Sequence, residues 1–197
     1  MKKKTQLIIW IILAVLALAL CTFLCVNIII AKTHEVKNPV ATFEIENYGT
    51  VKIELYPEYA PNTVTNFINL VEDKFYDGLT FHRIMDGFMI QGGDPNANGT
   101  GGNVHTIKGE FSSNDIENNI SHVRGVVSMA RNGADNNSAS SQFFIVHQDS
   151  TFLDGQYASF GHVTKGIEVV DAIASVRTSP NDRPLEAVVI KDIRIEK

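Results

Sequence analysis

The chain opens on an apolar run and then changes character. From Leu7 to Ala31 there is no charged residue, and Thr22 and Asn27 are the main polar interruptions. As a helix this run is roughly 37 Å long, enough to cross a hydrocarbon layer of about 30 Å with some tilt. A transmembrane anchor is therefore expected over residues 7–31. Lys2, Lys3 and Lys4 favour a cytoplasmic N-terminus over residues 1–6, which places everything after Ala31 outside the cytoplasm. Two alternatives stay open. A cleaved signal peptide has a shorter apolar region, about 7–15 residues, ending at small residues. A lipoprotein reading is invited by Cys21 and Cys25, but Leu20 and Leu24 are bulky where such a site takes a small residue.

Residues 32–39 are polar and end in proline, as a short juxtamembrane linker would. From Val40 the period changes to two. Ala41, Phe43 and Ile45 alternate with Thr42, Glu44 and Glu46. Val51, Ile53 and Leu55 alternate with Lys52 and Glu54 across an Asn47-Tyr48-Gly49-Thr50 turn. That pattern predicts a β-hairpin. Val64, Phe67, Ile68 and Val71 then recur at helical spacing after Pro61, and Ile167, Val170 and Ile173 do so after Gly166. Between and after them, Thr80–Ile84, Phe88–Gln91, Val126–Met129, Phe143–Val146, Ser159–Val163 and Ala187–Ile195 read as short strands. Strands dominate, and the expected architecture is a β-barrel with helices over its open ends. The connection from Gly92 to Ser121 is rich in Gly, Asn and Ser, and a loop that long in a compact domain is usually functional or mobile.

At 197 residues, setting the apolar run aside leaves one ordinary domain, residues 40–197. Both cysteines lie in the apolar run, so this domain has no disulfide framework and no thiolate nucleophile. Without the three N-terminal lysines the chain carries 17 − 3 = 14 basic residues against 22 acidic, a formal charge of −8. That argues against a nucleic-acid partner and against a basic patch for anionic lipids. There is no H-E-x-x-H, G-x-S-x-G or P-loop pattern. The six histidines are scattered, and a lone one such as His82 or His122 is more often a hydrogen-bonded structural residue than a ligand.

Three blocks carry more information. Phe81-His82-Arg83-Ile84-Met85-Asp86-Gly87-Phe88-Met89-Ile90-Gln91-Gly92-Gly93-Asp94 is followed by Ser141-Gln142-Phe143-Phe144-Ile145 and then by Phe152-Leu153-Asp154-Gly155. In order and spacing these resemble the signature of the cyclophilins, peptidyl-prolyl cis/trans isomerases, from about Val40 to the C-terminus. With the lysine-rich start, the chain resembles a membrane-anchored bacterial member. The resemblance implies a mainly β fold, a closed eight-stranded antiparallel β-barrel capped by two α-helices, preceded here by the one transmembrane helix. It also implies catalysis of rotation about X-Pro bonds with no metal, nucleotide or other cofactor. The expected partners are proline-containing polypeptides folding outside the cytoplasm, with the protein acting as a monomer.

Rotation breaks amide resonance, at a cost of about 18–20 kcal/mol. In the twisted amide the prolyl nitrogen gains a lone pair, so a fixed donor aimed at it favours the transition state over either planar isomer. Arg83 matches the family arginine with that role, and a guanidinium donates without needing a tuned pKa. Phe88, Met89, Phe144 and Leu153 match the apolar proline pocket, although such side chains are also ordinary core residues. Gln91 and Gln142 match residues that position the substrate backbone. Ala130, Arg131 and Asn132 fall on the segment that binds the residues before proline, ahead of a loop longer than in the common eukaryotic pattern. Phe152 stands where many members have tryptophan, and Tyr157 where many have histidine. The tryptophan indole donates to cyclosporin and phenylalanine has no donor, so weak cyclosporin binding is expected. The alternative function is a chaperone or scaffold that binds proline-containing peptides with incidental turnover. A purely structural or adhesive barrel would have no reason to combine Arg83, Phe88, Gln91 and Phe144.

Overall fold

The computed structural model describes residues 6, 8, 13–23 and 37–196. It divides the chain into two units, Met1–Lys37 and Asn38–Lys197. In the first, residues 13–23 are helical, with Leu13, Val15, Leu16, Leu18, Leu20 and Phe23 exposed. The rest of the anchor expected over 7–31, apart from Ile8, and most of the 32–39 linker lie outside the described residues. No helix among the described residues is long and apolar enough to cross a membrane.

The second unit is built on one eight-stranded antiparallel sheet. Its strands are β1 (Val40–Ile45), β2 (Gly49–Leu55), β3 (Arg83–Met85), β4 (Met89–Gly92), β5 (Val126–Met129), β6 (Phe143–Val146), β7 (Ser159–Lys165) and β8 (Ile190–Glu196), and the helices are α1 (Pro61–Glu72) and α2 (Ile167–Ala174). The order across the sheet is β3-β4-β6-β5-β7-β2-β1-β8. The ladder thus has two ends, β3 and β8. The segment before β3 bonds to the start of β8 and the residues ahead of it: Phe81 N–H donates to Val188 O at 3.0 Å, Ile190 N–H to Leu79 O at 2.7 Å, and Thr80 bridges Val189. The strand expected over 80–84 begins only at Arg83, where the ladder with β4 begins.

Alternation places Ala41, Phe43, Ile45, Val51, Ile53 and Leu55 in the core, where Phe67 of α1 and Phe143 of β6 meet Phe43 at ring distances of 6.1 and 5.6 Å. α1 carries proline in its first turn and buries Thr63, Val64, Phe67, Leu70 and Val71. The first turn has no side-chain cap of its own; the carboxylate of Glu110, 1% exposed, supplies one. It accepts from Asn62 N and Nδ2 and from Thr63 N and Oγ1 at 2.7–3.0 Å. α2 starts after Gly166 at φ 87°, where a Cβ would stand 2.2 Å from Thr50 O.

The long 92–121 connection is organised by two buried acids. Besides Glu110, Asp94 is fully buried and accepts the backbone N–H groups of Asn96, Asn98 and Gly99. Burial works to raise the Asp94 pKa, but these hydrogen bonds outweigh it and hold the carboxyl below its ordinary value. At the start of the same connection Gly93 has φ 81°, and a Cβ there would lie 2.4 Å from Ser141 O. Ser141 in turn donates from Oγ to Gly93 O at 2.8 Å, fixing the exit of β4 against the entry of β6.

Candidate active site

β4 and β6 are apolar on both faces. Ile90 and Ile145 point into the main core, while Met89, Phe144 and Val146 join Val126 and Leu153 in a second cluster on the opposite face. That second cluster is the floor of a pocket. The register sets Arg83 opposite Gln91 and Gln91 opposite Phe144, so the cation, the amide and the ring stand in one row across β3, β4 and β6. The pocket, about 390 Å³, is lined by Arg83, Phe88, Met89, Gln91, Ala130, Arg131, Phe144, Phe152, Leu153 and Tyr157. A second pocket of about 430 Å³ shares Gln91, Ala130 and Arg131 and adds Asn132 and Gln142. The structure therefore places every residue named from the sequence at one or other of two adjoining pockets.

Several of these side chains are held by specific partners. Arg83 donates from Nε to Asp182 Oδ2 at 3.3 Å and from Nη2 to Met85 Sδ at 3.0 Å, with 42% of its side chain exposed. Its Nη1 has no partner among the described residues. Gln91 Nε2 donates to Gln142 Oε1 at 2.8 Å, and Gln142 Nε2 donates to Gly101 O at 2.7 Å, so the two amides brace each other. Phe152 is 66% exposed and leans on Phe88, ring centroids 5.6 Å apart. Tyr157 stands edge-on to Phe144 at 5.8 Å and lies 4.9 Å below the Arg131 guanidinium, whose other neighbour is the Phe111 ring at 5.3 Å.

Behind the pocket is a buried network that sequence reasoning missed. His122 stacks on Phe144 at 6.0 Å. Its Nδ1 faces Asp154 Oδ1 at 2.8 Å, and its Nε2 faces the hydroxyls of Ser159 and Ser128 at 3.1 and 3.2 Å. An ionised carboxylate has no proton to give, so Nδ1–H donates and Nε2 accepts from a hydroxyl. Asp154 also accepts from His122 N–H and Ser121 Oγ. This ties the chain before β5 to the turn that carries Phe152 and Leu153. His122, Ser128 and Ser159 are all buried, so this grouping supports the pocket and offers no exposed nucleophile. His122 is the hydrogen-bonded structural histidine expected from the sequence. His82 is not: it is buried with neither ring nitrogen bonded to a described residue.

The family model for cyclophilin type peptidyl-prolyl cis-trans isomerases matches residues 40–195. The chain is a cyclophilin. It is 42% identical over 154 residues to peptidyl-prolyl cis-trans isomerase B of Bacillus subtilis, covering 78% of this chain and 96% of that protein. It is 41% identical over 150 residues to peptidyl-prolyl cis-trans isomerase-like 2 of Gibberella zeae, covering 76% of this chain but only 25% of that longer protein. Among solved structures, a cyclophilin type peptidyl-prolyl cis-trans isomerase of Cryptosporidium parvum, crystallised in the presence of the dipeptide Ala-Pro, superposes with a TM-score of 0.74 at 30% identity, covering 80% of this chain and 99% of that one.

The two buried histidines make the cyclophilin domain sensitive to mild acid. Burial lowers the pKa of His122, more than Asp154 raises it, and burial also lowers that of His82. Both therefore take up a proton at lower pH in the folded state than in the unfolded chain, where a histidine titrates near pH 6.5. Below that pH the unfolded state binds more protons, so stability is complete above about pH 6.5 and falls as the pH drops toward the folded-state values. Urea unfolding midpoints at pH 7.5 and 5.5 are expected to show the lower midpoint at 5.5. Equal midpoints would mean the histidines are protonated in place.

Proposed function

We propose that this chain is a peptidyl-prolyl cis/trans isomerase that acts outside the cytoplasm, anchored by residues 7–31, and lowers the rotational barrier without a covalent intermediate. The observation that carries it is the meeting of the Arg83 guanidinium and an apolar floor in one 390 Å³ pocket. Phe88, Met89, Phe144 and Leu153 take the proline ring. Gln91, braced by Gln142, holds the adjoining backbone. Arg83, held along one edge by Asp182, donates to the prolyl nitrogen as its lone pair develops. Nothing is broken and no group is transferred.

Uncatalysed X-Pro isomerisation takes tens to hundreds of seconds, slow enough to limit the folding of exported chains, so a tethered isomerase has a use. The uncharged run from Leu7 to Ala31, the lysines before it and the exposed apolar side chains over 13–23 support the anchor. The full chain in detergent is expected to accelerate isomerisation of an Ala-Pro peptide, and no acceleration by folded protein would overturn the enzyme reading. Protease added to intact bacterial cells expressing the chain is expected to degrade the 40–197 domain. Degradation only after lysis would place that domain inside.

Phe152 offers a ring and no donor, so cyclosporin binding is expected to be weak. Phe152→Trp restores one neutral hydrogen bond, about 0.5–1.5 kcal/mol, and is expected to tighten cyclosporin binding roughly three- to tenfold in a titration. Inhibition of the wild-type chain at low nanomolar drug would contradict this.

A further inference from the structure

The second pocket is polar, and its boundary with the first is formed by a cation. Arg131 lines both. Its guanidinium is fixed: Nε donates to Gln156 O at 3.0 Å, Nη1 to Asn132 O at 3.0 Å, and the plane lies between the Tyr157 and Phe111 rings. Among the described residues Nη2 has no partner and no carboxylate pairs with this arginine. Nor does any Asp or Glu line either pocket. Asp94 lies beneath the 94–101 loop with its oxygens occupied by backbone N–H groups.

Two further groups at the second pocket can donate. Asn132 uses its Oδ1 to accept from Ala134 N–H, which leaves its amide N–H₂ free, and the Ser140 hydroxyl has no partner among the described residues. Gln142 spends its N–H₂ on Gly99 O and Gly101 O. A pre-oriented guanidinium with flanking donors and no resident anion complements a carboxylate, and it repels an ammonium.

Resting on the reading of the first pocket as the proline site, we infer that Arg131 is a specificity-determining residue that selects an acidic side chain within two residues ahead of the proline. Proline seated on Phe144 directs the preceding residues past Ala130 and Arg131 toward the second pocket. A Glu or Asp there meets Arg131 Nη2, with Asn132 and Ser140 beside it. A Lys there meets the fixed positive charge of Arg131. Attraction for one and repulsion for the other are each modest in a half-exposed setting, so the expected preference of Glu over Lys is about three- to tenfold. It shrinks in 1 M salt, where the screening length is about 3 Å.

The test is kcat/KM of the full chain on variants of an Ala-Pro peptide in which the residue one or two places before proline is replaced by Glu, Gln or Lys, at low and high salt, beside Arg131→Gln. A Glu-over-Lys ratio of threefold or more at either position that collapses toward one in Arg131→Gln supports the inference. Equal rates for Glu and Lys at both positions, with the parent Ala-Pro peptide turned over, overturn it. If the parent peptide is not turned over, the isomerase reading fails instead, and calorimetric affinities for the Glu and Lys peptides still decide the inference by the same ratio. Should Arg131→Gln fail to fold, loss of the wild-type preference in 1 M salt serves in its place, and a salt-independent ratio counts against Arg131.

Discussion

Arg83→Ala is expected to lower kcat/KM for an Ala-Pro peptide by about 100- to 1000-fold, the usual loss when one pre-oriented transition-state donor is removed. The planar substrate gives Arg83 little to bond, because the prolyl nitrogen lone pair is tied up in resonance until the amide twists. The loss therefore falls on kcat. Arg83 is partly exposed and its ion pair with Asp182 is at the surface, so the variant should remain folded. Asp182→Asn is expected to cost only a few fold, because Arg83 Nε keeps a weaker acceptor. Retained activity in Arg83→Ala would leave the domain a peptide-binding module whose turnover does not depend on this donor.

Glu110→Ala is expected to be the most damaging single change to the fold, by about 3–5 kcal/mol. The carboxylate accepts four hydrogen bonds at the positive end of α1 while almost fully buried. Alanine leaves the N–H of Thr63 and its hydroxyl without an acceptor at a fully buried residue, besides the groups of Asn62. For a domain of this size the loss corresponds to a fall in melting temperature of roughly 10 °C. Glu110→Gln, which keeps one acceptor oxygen, should lose clearly less. Equal melting temperatures for wild type and Glu110→Ala would show that water replaces the carboxylate without cost.

The regular parts of this fold were legible because their periods are clean. β1 and β2 alternate one apolar and one polar residue, and the core side chains of that hairpin are those the alternation selects. α1 shows its face through Val64, Phe67 and Val71. β4 and β6 were harder to orient. Met89-Ile90 and Phe143-Phe144-Ile145-Val146 bury both faces, so period alone does not say which side is core and which is pocket. Only the match to the family motif separated Phe144 from Phe143.

What the sequence hid lies in long-range pairing. Asp182 is 99 residues from Arg83, and Glu110 is 47 from Thr63, with no local pattern pointing to either contact. The 92–121 connection looked merely irregular, since Asp94 and Glu110 order it through backbone N–H groups that carry no side-chain signature. The same holds for His122. A lone histidine gives no sign that it will stack on Phe144 and clip Asp154 beneath the pocket.

A donor that acts on the twisted amide lowers the barrier, whereas one that acts on the resting peptide only tightens binding. Measuring kcat by exchange spectroscopy and peptide affinity by titration, for wild type and Arg83→Ala side by side, separates the two. In Arg83→Ala, kcat is expected to fall by about two orders of magnitude or more while affinity changes by less than about threefold. A variant that keeps its kcat and loses affinity would contradict this, because Arg83 would then be a binding residue and the barrier would be lowered by something else.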